Sequence, residues 1–357
     1  MVVLRSFTKS VIATVVQWTE APGPPGTLLY GGEVNPHERL ALPSVEADLV
    51  SLDDLLAESV IFGDAYLDSV TTHLIRAGGK RLRPVLAVAS ATRGERPATR
   101  DDLLGGVALE LMHLASLYHD DVMDEAEIRR NVDSVNARYG NLIAIVAGDY
   151  LMARSASIAA DLGAPTASLM ASTLAWLTRG QVAEVRTAFA LTRSENDYYE
   201  AIEGKTAALM SSSCRMGAMT ARHGARETEA LAEFGRCFGM VYQMRDDVLD
   251  LTATDNQLGK PAGQDLAEGI YNLPTLFALT DPVGGDELRQ LLGRPLDDDE
   301  RERARKLVVA TDGIERTLAA AQRFVDLAAS SLEDVGGAAL RSGFHSLITS
   351  LIDDLTI

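Results

Sequence analysis

Cysteine is almost missing from the chain: Cys214 and Cys237 are the only two, both inside helical patterns and neither near a histidine or second thiol at metal-ligand spacing. That excludes a thiolate metal centre, and the pair reads as small core residues in a reducing compartment, with the cytoplasm as the expected location. Positive charge is also short. Lys and Arg number 33 against 51 Asp and Glu, a formal net charge of −18, which argues against nucleic acid as a partner and does not favour a peripheral hold on anionic lipid. An anionic substrate must therefore be captured locally, by metal ions and a few placed bases. No unbroken apolar stretch of about 18 or more residues occurs, so no transmembrane segment is expected. Strand-like alternation is missing too, and no convincing Ser-His or Cys-His set offers a side-chain nucleophile.

What the chain does have is apolar content for a core, 46% of 357 residues, arranged almost throughout at helical spacing. The stretch that organises the rest is Leu111-Met-His-Leu-Ala-Ser-Leu-Tyr-His-Asp-Asp-Val-Met-Asp124, an apolar run ending in carboxylates. Asp120 and Asp124 are four apart and share a helix face, where they repel unless a cation sits between them. A hard divalent ion that keeps most of its waters suits such a sparse oxygen site, and magnesium is the first candidate. The pattern recurs at Asp246, Asp247 and Asp250, at the end of a helical run over about 226–251. Gln243 shares the face of Asp247 and Asp250. Two such helices facing each other across a cavity would hold a cluster of divalent ions, whose natural guest is a diphosphate.

Bases punctuate the chain around these motifs. One or two helices over about 45–77 end at Ala77-Gly-Gly79, followed by Lys80-Arg-Leu-Arg83 and Pro84 at the start of the next helix. Glycines, cations and free N–H groups at a helix start make an anion cradle, although a plain basic turn fits equally well. Arg129 and Arg130 follow the first acidic motif in a loop, placed either to neutralise carboxylates or to grip phosphate oxygens. Helices are expected over about 136–162 and 166–189, the second carrying Gly180-Gln181, and Ser194-x-x-Asp197 caps another. Inside that last helix, Gly204-Lys205-Thr206 suggests a kink that turns backbone and cation toward a ligand. The polar loop from Asp255 to Asn272 carries Lys260 and Asp265, placed to close over a charged ligand. Residues 1 to about 43, with a short apolar run and Pro22-Gly-Pro-Pro-Gly26, read as a flexible or weakly docked leader rather than a signal peptide.

Taken together, Gly78-Gly-Lys-Arg-Leu-Arg-Pro84, His119-Asp-Asp-Val-Met-Asp124 with Arg129-Arg130, Gly204-Lys-Thr206, Gln243 with Asp246-Asp-Val-Leu-Asp250, and Gly259-Lys260 resemble the trans-isoprenyl diphosphate synthase (polyprenyl synthetase) family. The resemblance spans about residues 45–350 and has the motifs in order. It implies an all-α fold, a single large helical bundle around a central cavity over residues 44–357, usually a homodimer. It further implies condensation of isopentenyl diphosphate with an allylic diphosphate, assisted by Mg2+. Carried over by position, Asp120, Asp124 and Asp246 match magnesium ligands, supported by Asp121, Asp247 and Asp250. Lys80, Arg83, His113 and Arg130 match the isopentenyl diphosphate site; Arg129, Lys205, Thr206, Gln243 and Lys260 match the allylic diphosphate site.

One departure stands out. After Gly269, where many members continue with lysine, this chain has Ile270-Tyr-Asn272, so one basic contact from the closing loop is missing. Beneath the first motif, members that stop early carry bulky aromatics; here Ala115 and Ser116 are small, with Met112 a turn further on. A product of C20 or longer is the expectation. The intact second carboxylate motif favours this reading over its alternatives, a class I terpene cyclase or a non-catalytic regulatory subunit. A phosphohydrolase would have no use for a second basic pocket.

Overall fold

In the computed structural model of the protein, residues 36–254, 261–353 and 355 are described. They are almost entirely helical: α1 Pro36–Leu40, α2 Pro43–Ser59, α3 Ala65–Thr71, α4 His73–Arg76, α5 Leu82–Thr92, α6 Arg100–Met123, α7 Val135–Tyr139, α8 Asn141–Leu162, α9 Ala164–Arg186, α10 Glu195–Ile202, α11 Ala208–Thr220 and α12 Ala225–Thr252. Shorter helices follow at Gln264–Ala267, Leu273–Ala278 and Gly285–Leu291, then Asp298–Val309, Gly313–Ser331 and Ala338–Asp353. The two motif helices are α6 and α12. Helix α11 lies against both, while α8 packs on α6, and α9 on α8 and α11, so that a ring of helices encloses a central space.

Local chemistry fixes the ring. Thr99 and Asp102 form a capping box that starts α6, and the buried Asp102 carboxylate also accepts from Arg96 Nη1 at 2.7 Å and Thr220 Oγ1 at 2.8 Å, tying that start to the end of α11. The capping box expected at Ser194 and Asp197 starts α10. Between α10 and α11 the chain widens into a π-helical turn, Glu203–Ala207, which is the kink foreseen at Gly204-Lys205-Thr206. The turn touches α9 backbone to backbone: a Cβ on Gly180 would stand 2.3 Å from the Lys205 amide nitrogen. Only hydrogen fits there.

Several expectations are corrected. The stretch over 45–77 is three helices rather than one or two, because Gly63 at φ 91° and the Asp64 cap break it. Packing begins before residue 44, since Leu40 and Leu42 are buried and α1 lies on Ala338–Asp353; the rest of the leader falls outside the described residues. A short β-hairpin does exist, β1 Ile128–Arg129 against β2 Val132–Asp133. Its two-residue turn has Arg130 at φ 54° and Asn131 at φ 61°, the conformation that suits strand twist and that asparagine tolerates. Helix α8 is long and apolar enough to cross a membrane by length and composition, although Asp149 and Arg154 interrupt the run. Arg154 Nε donates to the Ser59 carbonyl at 2.9 Å and Ser155 Oγ to the Ala108 carbonyl at 2.6 Å, which anchors α8 inside the bundle.

The Gly180 contact yields a test. Gly180→Ala forces α9 away from the π-helical turn, and overpacking of this kind costs about 1–3 kcal/mol. Urea denaturation should show that loss, and an unchanged midpoint would contradict the contact.

Candidate active site

A cavity of about 790 Å3 opens between the motif helices, and its walls include Asp124, Arg129, Arg130, Lys205, Thr206, Gln243 and Asp247. These seven, singled out from the sequence, meet around one space with Asp265 of the polar loop. Asp120 and Asp246 are half-buried, while Asp121 and Asp250 are buried. Lys260 lies outside the described residues.

Hydrogen bonds organise the α12 wall. Thr206 Oγ1 donates to Gln243 Oε1 at 2.8 Å, Gln243 Nε2 donates to Asp247 Oδ1 at 3.0 Å, and Tyr198 Oη donates to Asp247 Oδ2 at 2.6 Å. Both Asp247 oxygens are held by neutral donors. Burial nevertheless pushes its carboxyl pKa up to about 6. Asp250 accepts from the backbone N–H of Asp265 at 3.3 Å, which ties the segment after the loop to α12.

On the opposing wall, Arg129 grips Asp121 through Nε at 2.7 Å and Nη2 at 2.6 Å, leaving the buried Asp121 Oδ2 without a hydrogen-bond partner. Asp120 has its pKa pushed up to about 6, mainly by burial, with Lys205 opposing and Asp124 adding to the rise. Lys205 Nζ reaches Glu184 Oε1 at 2.5 Å. Glu184 lines the cavity and was not foreseen, although it lies on α9 one turn beyond the Gly180-Gln181 already noted.

A second basic group adjoins this space, sharing Arg130 with it. Arg130 Nη1 donates to the carbonyls of Leu74, at 3.0 Å, and Gly78. Its guanidinium lies on Gly79, where a Cβ would meet Cζ at 3.0 Å, so this glycine makes room for the cation. Burial lowers the pKa of Arg83 and of Arg130, with Glu110 opposing in both. Burial and the charges of Arg83, Arg130, Arg129 and Arg81 hold the His113 imidazole well below its usual range, which leaves it neutral. Lys80 is exposed. The buried Glu110 carboxylate at the centre was missed, although a lone acid within Val107-Ala-Leu-Glu-Leu-Met112 is a readable sign. It takes Arg81 Nη1 at 3.2 Å and stands 3.9 Å from Arg130 Nη2.

Below Asp120, Met112 and Ala115 are buried in the core, and half-buried Ser116 donates to the His113 carbonyl at 2.8 Å. None of the three reaches the walls of the cavity.

Among the described residues, no three carboxylate, imidazole or thiolate groups cluster tightly enough to hold an ion by themselves. The donor set still fits a hard divalent cation. Its carboxylates are desolvated, Asp121 carries an oxygen without a partner, and an ion of the magnesium type binds through one or two carboxylates plus waters and substrate phosphates rather than a complete protein cage.

Residues 64–309 match the family described as Polyprenyl synthetase. The chain is 36% identical over 295 residues to the nonaprenyl diphosphate synthase of Mycobacterium tuberculosis, covering 82% of this chain and 87% of the relative. It is 37% identical over 287 residues to heptaprenyl diphosphate synthase component 2 of Geobacillus stearothermophilus, covering 80% and 89%. The crystal structure of a polyprenyl synthase from Caulobacter crescentus, complexed with calcium and isoprenyl diphosphate, superposes with a TM-score of 0.82 at 29% identity, covering 88% of this chain and 97% of that one.

The burial of Asp120 has a consequence for stability. Its folded pKa of about 6 lies above the ordinary 3.8, so the folded chain holds this proton more tightly than the unfolded chain. The resulting cost therefore grows as pH rises between these values and persists above them. Asp120→Asn in chelator should raise the melting temperature at pH 8, on the order of 2 °C, with a smaller gain near pH 4. A lower melting temperature at pH 8 would contradict the assignment.

Proposed function

Because this chain belongs to the polyprenyl synthetase family, we propose that the cavity holds the diphosphate of an allylic substrate while the adjoining basic group holds isopentenyl diphosphate. The protein is a transferase that joins these two substrates into trans-polyprenyl diphosphates of twenty carbons or more. The observation that carries the site assignment is the arrangement itself: a carboxylate of each motif, Asp124 and Asp247, lines one cavity with Arg129, Lys205, Thr206 and Gln243, and Arg130 belongs both to that wall and to the adjoining basic group.

In this reading Arg129, Lys205, Thr206 and Gln243 face the allylic diphosphate, a role the family resemblance also assigns to Lys260, and Lys80, Arg83, His113 and Arg130 face isopentenyl diphosphate. Asp120, Asp124 and Asp246 would hold Mg2+, with Asp121, Asp247 and Asp250 supporting them. Bound there, magnesium supplies Lewis-acid neutralisation of the diphosphate oxygens. Cations around the leaving group stabilise the charge that grows as the allylic carbon–oxygen bond breaks and its electron pair passes to the diphosphate. The allylic cation takes the π electrons of isopentenyl diphosphate, a carbon–carbon bond forms, and loss of one proton to the departing diphosphate restores the double bond. Arg83 and Arg130 orient the second substrate, and His113, being neutral, contributes a hydrogen bond rather than charge.

A homodimer suits the surface. Exposed apolar residues gather on the neighbouring helices α8 and α9, among them Leu142, Ile145 and Val146, and Val182 and Val185. Burying such a patch is the usual reason for its presence. Cys214 and Cys237 are free and buried, which supports a reducing compartment, the cytoplasm.

Incubation with Mg2+, labelled isopentenyl diphosphate and allylic starters of five to twenty carbons should give a ladder ending at or above twenty carbons; no elongation by folded protein would refute the proposal. Ser116→Phe, which puts a ring one turn below Asp120, should shorten the ladder, and an unchanged distribution would show that this position does not limit product length. Sedimentation should give a dimer that Val146→Asp with Val182→Asp converts to monomer; a monomeric wild type would refute the interface.

A further inference from the structure

Arg193 belongs to no motif and ends the turn between α9 and α10, immediately before the Ser194 cap. It lines the cavity, yet it is only 7% exposed. Its Nε and Nη1 are buried with no hydrogen-bond partner. The guanidinium carbon stands 5.8 Å from the ring centroid of Tyr198, the residue whose hydroxyl holds Asp247. The nearby bases are differently placed. Arg129 is taken up by Asp121 and Lys205 by Glu184, whereas both Asp247 oxygens are occupied by Tyr198 and Gln243. A buried guanidinium with unfilled donors is costly in the empty protein, and burial accordingly lowers its pKa. Its planar fork matches phosphate oxygens, and a diphosphate in the cavity would fill it.

A second observation concerns position. The turn that carries Arg193 is pinned to the segment bearing Ile270: the Phe189 N–H donates to the Gly269 carbonyl at 2.9 Å, and the Phe189 ring covers Gly269, where a Cβ would meet it at 2.5 Å. Ile270 lines the same cavity. An apolar side chain therefore stands where a base could reach the ligand, and a buried base stands on the turn bonded to it.

We propose that Arg193 is a diphosphate-binding residue, donating to oxygens of the allylic diphosphate from the turn between α9 and α10 and supplying the contact that Ile270 cannot. The proposal rests on the synthase reading above. It makes Arg193 specific to one of the two substrates.

The test compares full-length wild type, Arg193→Gln, Arg193→Lys and the double variant Arg193→Gln with Ile270→Lys. Arg193→Gln should raise the KM of the allylic substrate about tenfold or more while leaving that of isopentenyl diphosphate within about twofold, the loss expected for a charge-assisted hydrogen bond. It should also shrink the rise in melting temperature given by pyrophosphate with Mg2+, without lowering the melting temperature of the ligand-free protein. Lysine at 270 should recover much of the allylic KM. Should Arg193→Gln not fold, Arg193→Lys, which keeps the charge and loses the fork, carries the same two readouts with a smaller loss. An unchanged allylic KM and pyrophosphate response would overturn the proposal, as would an equal rise in both KM values with a lowered melting temperature, the mark of a structural role. If wild type elongates normally and Arg193→Gln matches it, only the role of Arg193 falls; if wild type elongates no starter, the synthase reading falls and takes this inference with it.

Discussion

Carboxylates that repel one another, held partly out of water around one space, are the constraint on which the rest of this structure depends. Asp120 and Asp247 each carry a carboxyl pushed up to about 6 by burial, and no three such groups among the described residues come close enough to share an ion unaided. An arrangement of that kind is unfavourable when empty and is relieved when cations and a polyanion arrive together. Tyr198 and Gln243 hold Asp247 with neutral donors, and Thr206 fixes Gln243 in turn; Arg129 and Lys205 are kept in the cavity wall by Asp121 and Glu184. In the proposed reading, the basic group around Glu110 holds a second anion apart from the first.

Geometry explains how a chain of net charge −18 can work on anionic substrates. The cations are few, but they are turned inward by backbone devices: the π-helical turn that presents Lys205, the hairpin turn at Arg130 and Asn131, and Gly79, on which the Arg130 guanidinium lies. Each device depends on close approach or positive φ. Specificity then comes from where the donors point rather than from overall field strength.

The motif helices were legible because their signals are periodic and local. The run over 226–251 is α12, Ala225–Thr252, the Ser194 capping box formed as read, and the glycine at 204 marks a real departure from α-helical geometry. What the sequence hid is tertiary. A two-residue strand pair is too short to alternate, Glu184 gains its meaning only because Gly180 lets α9 touch the turn at Gly204, and Arg193 looks like an ordinary surface base until the Phe189–Gly269 contact folds its turn against the cavity. Glu110 stood in plain view, since a lone acid in an apolar helical run must find buried cations.

The central claim is that the cavity is completed by its ligand. Titration of Mn2+ followed by electron paramagnetic resonance, with and without pyrophosphate, tests it most directly. The account predicts weak ion binding by the protein alone and tight binding of more than one ion once pyrophosphate is present. Equal ion binding in the two titrations would contradict it.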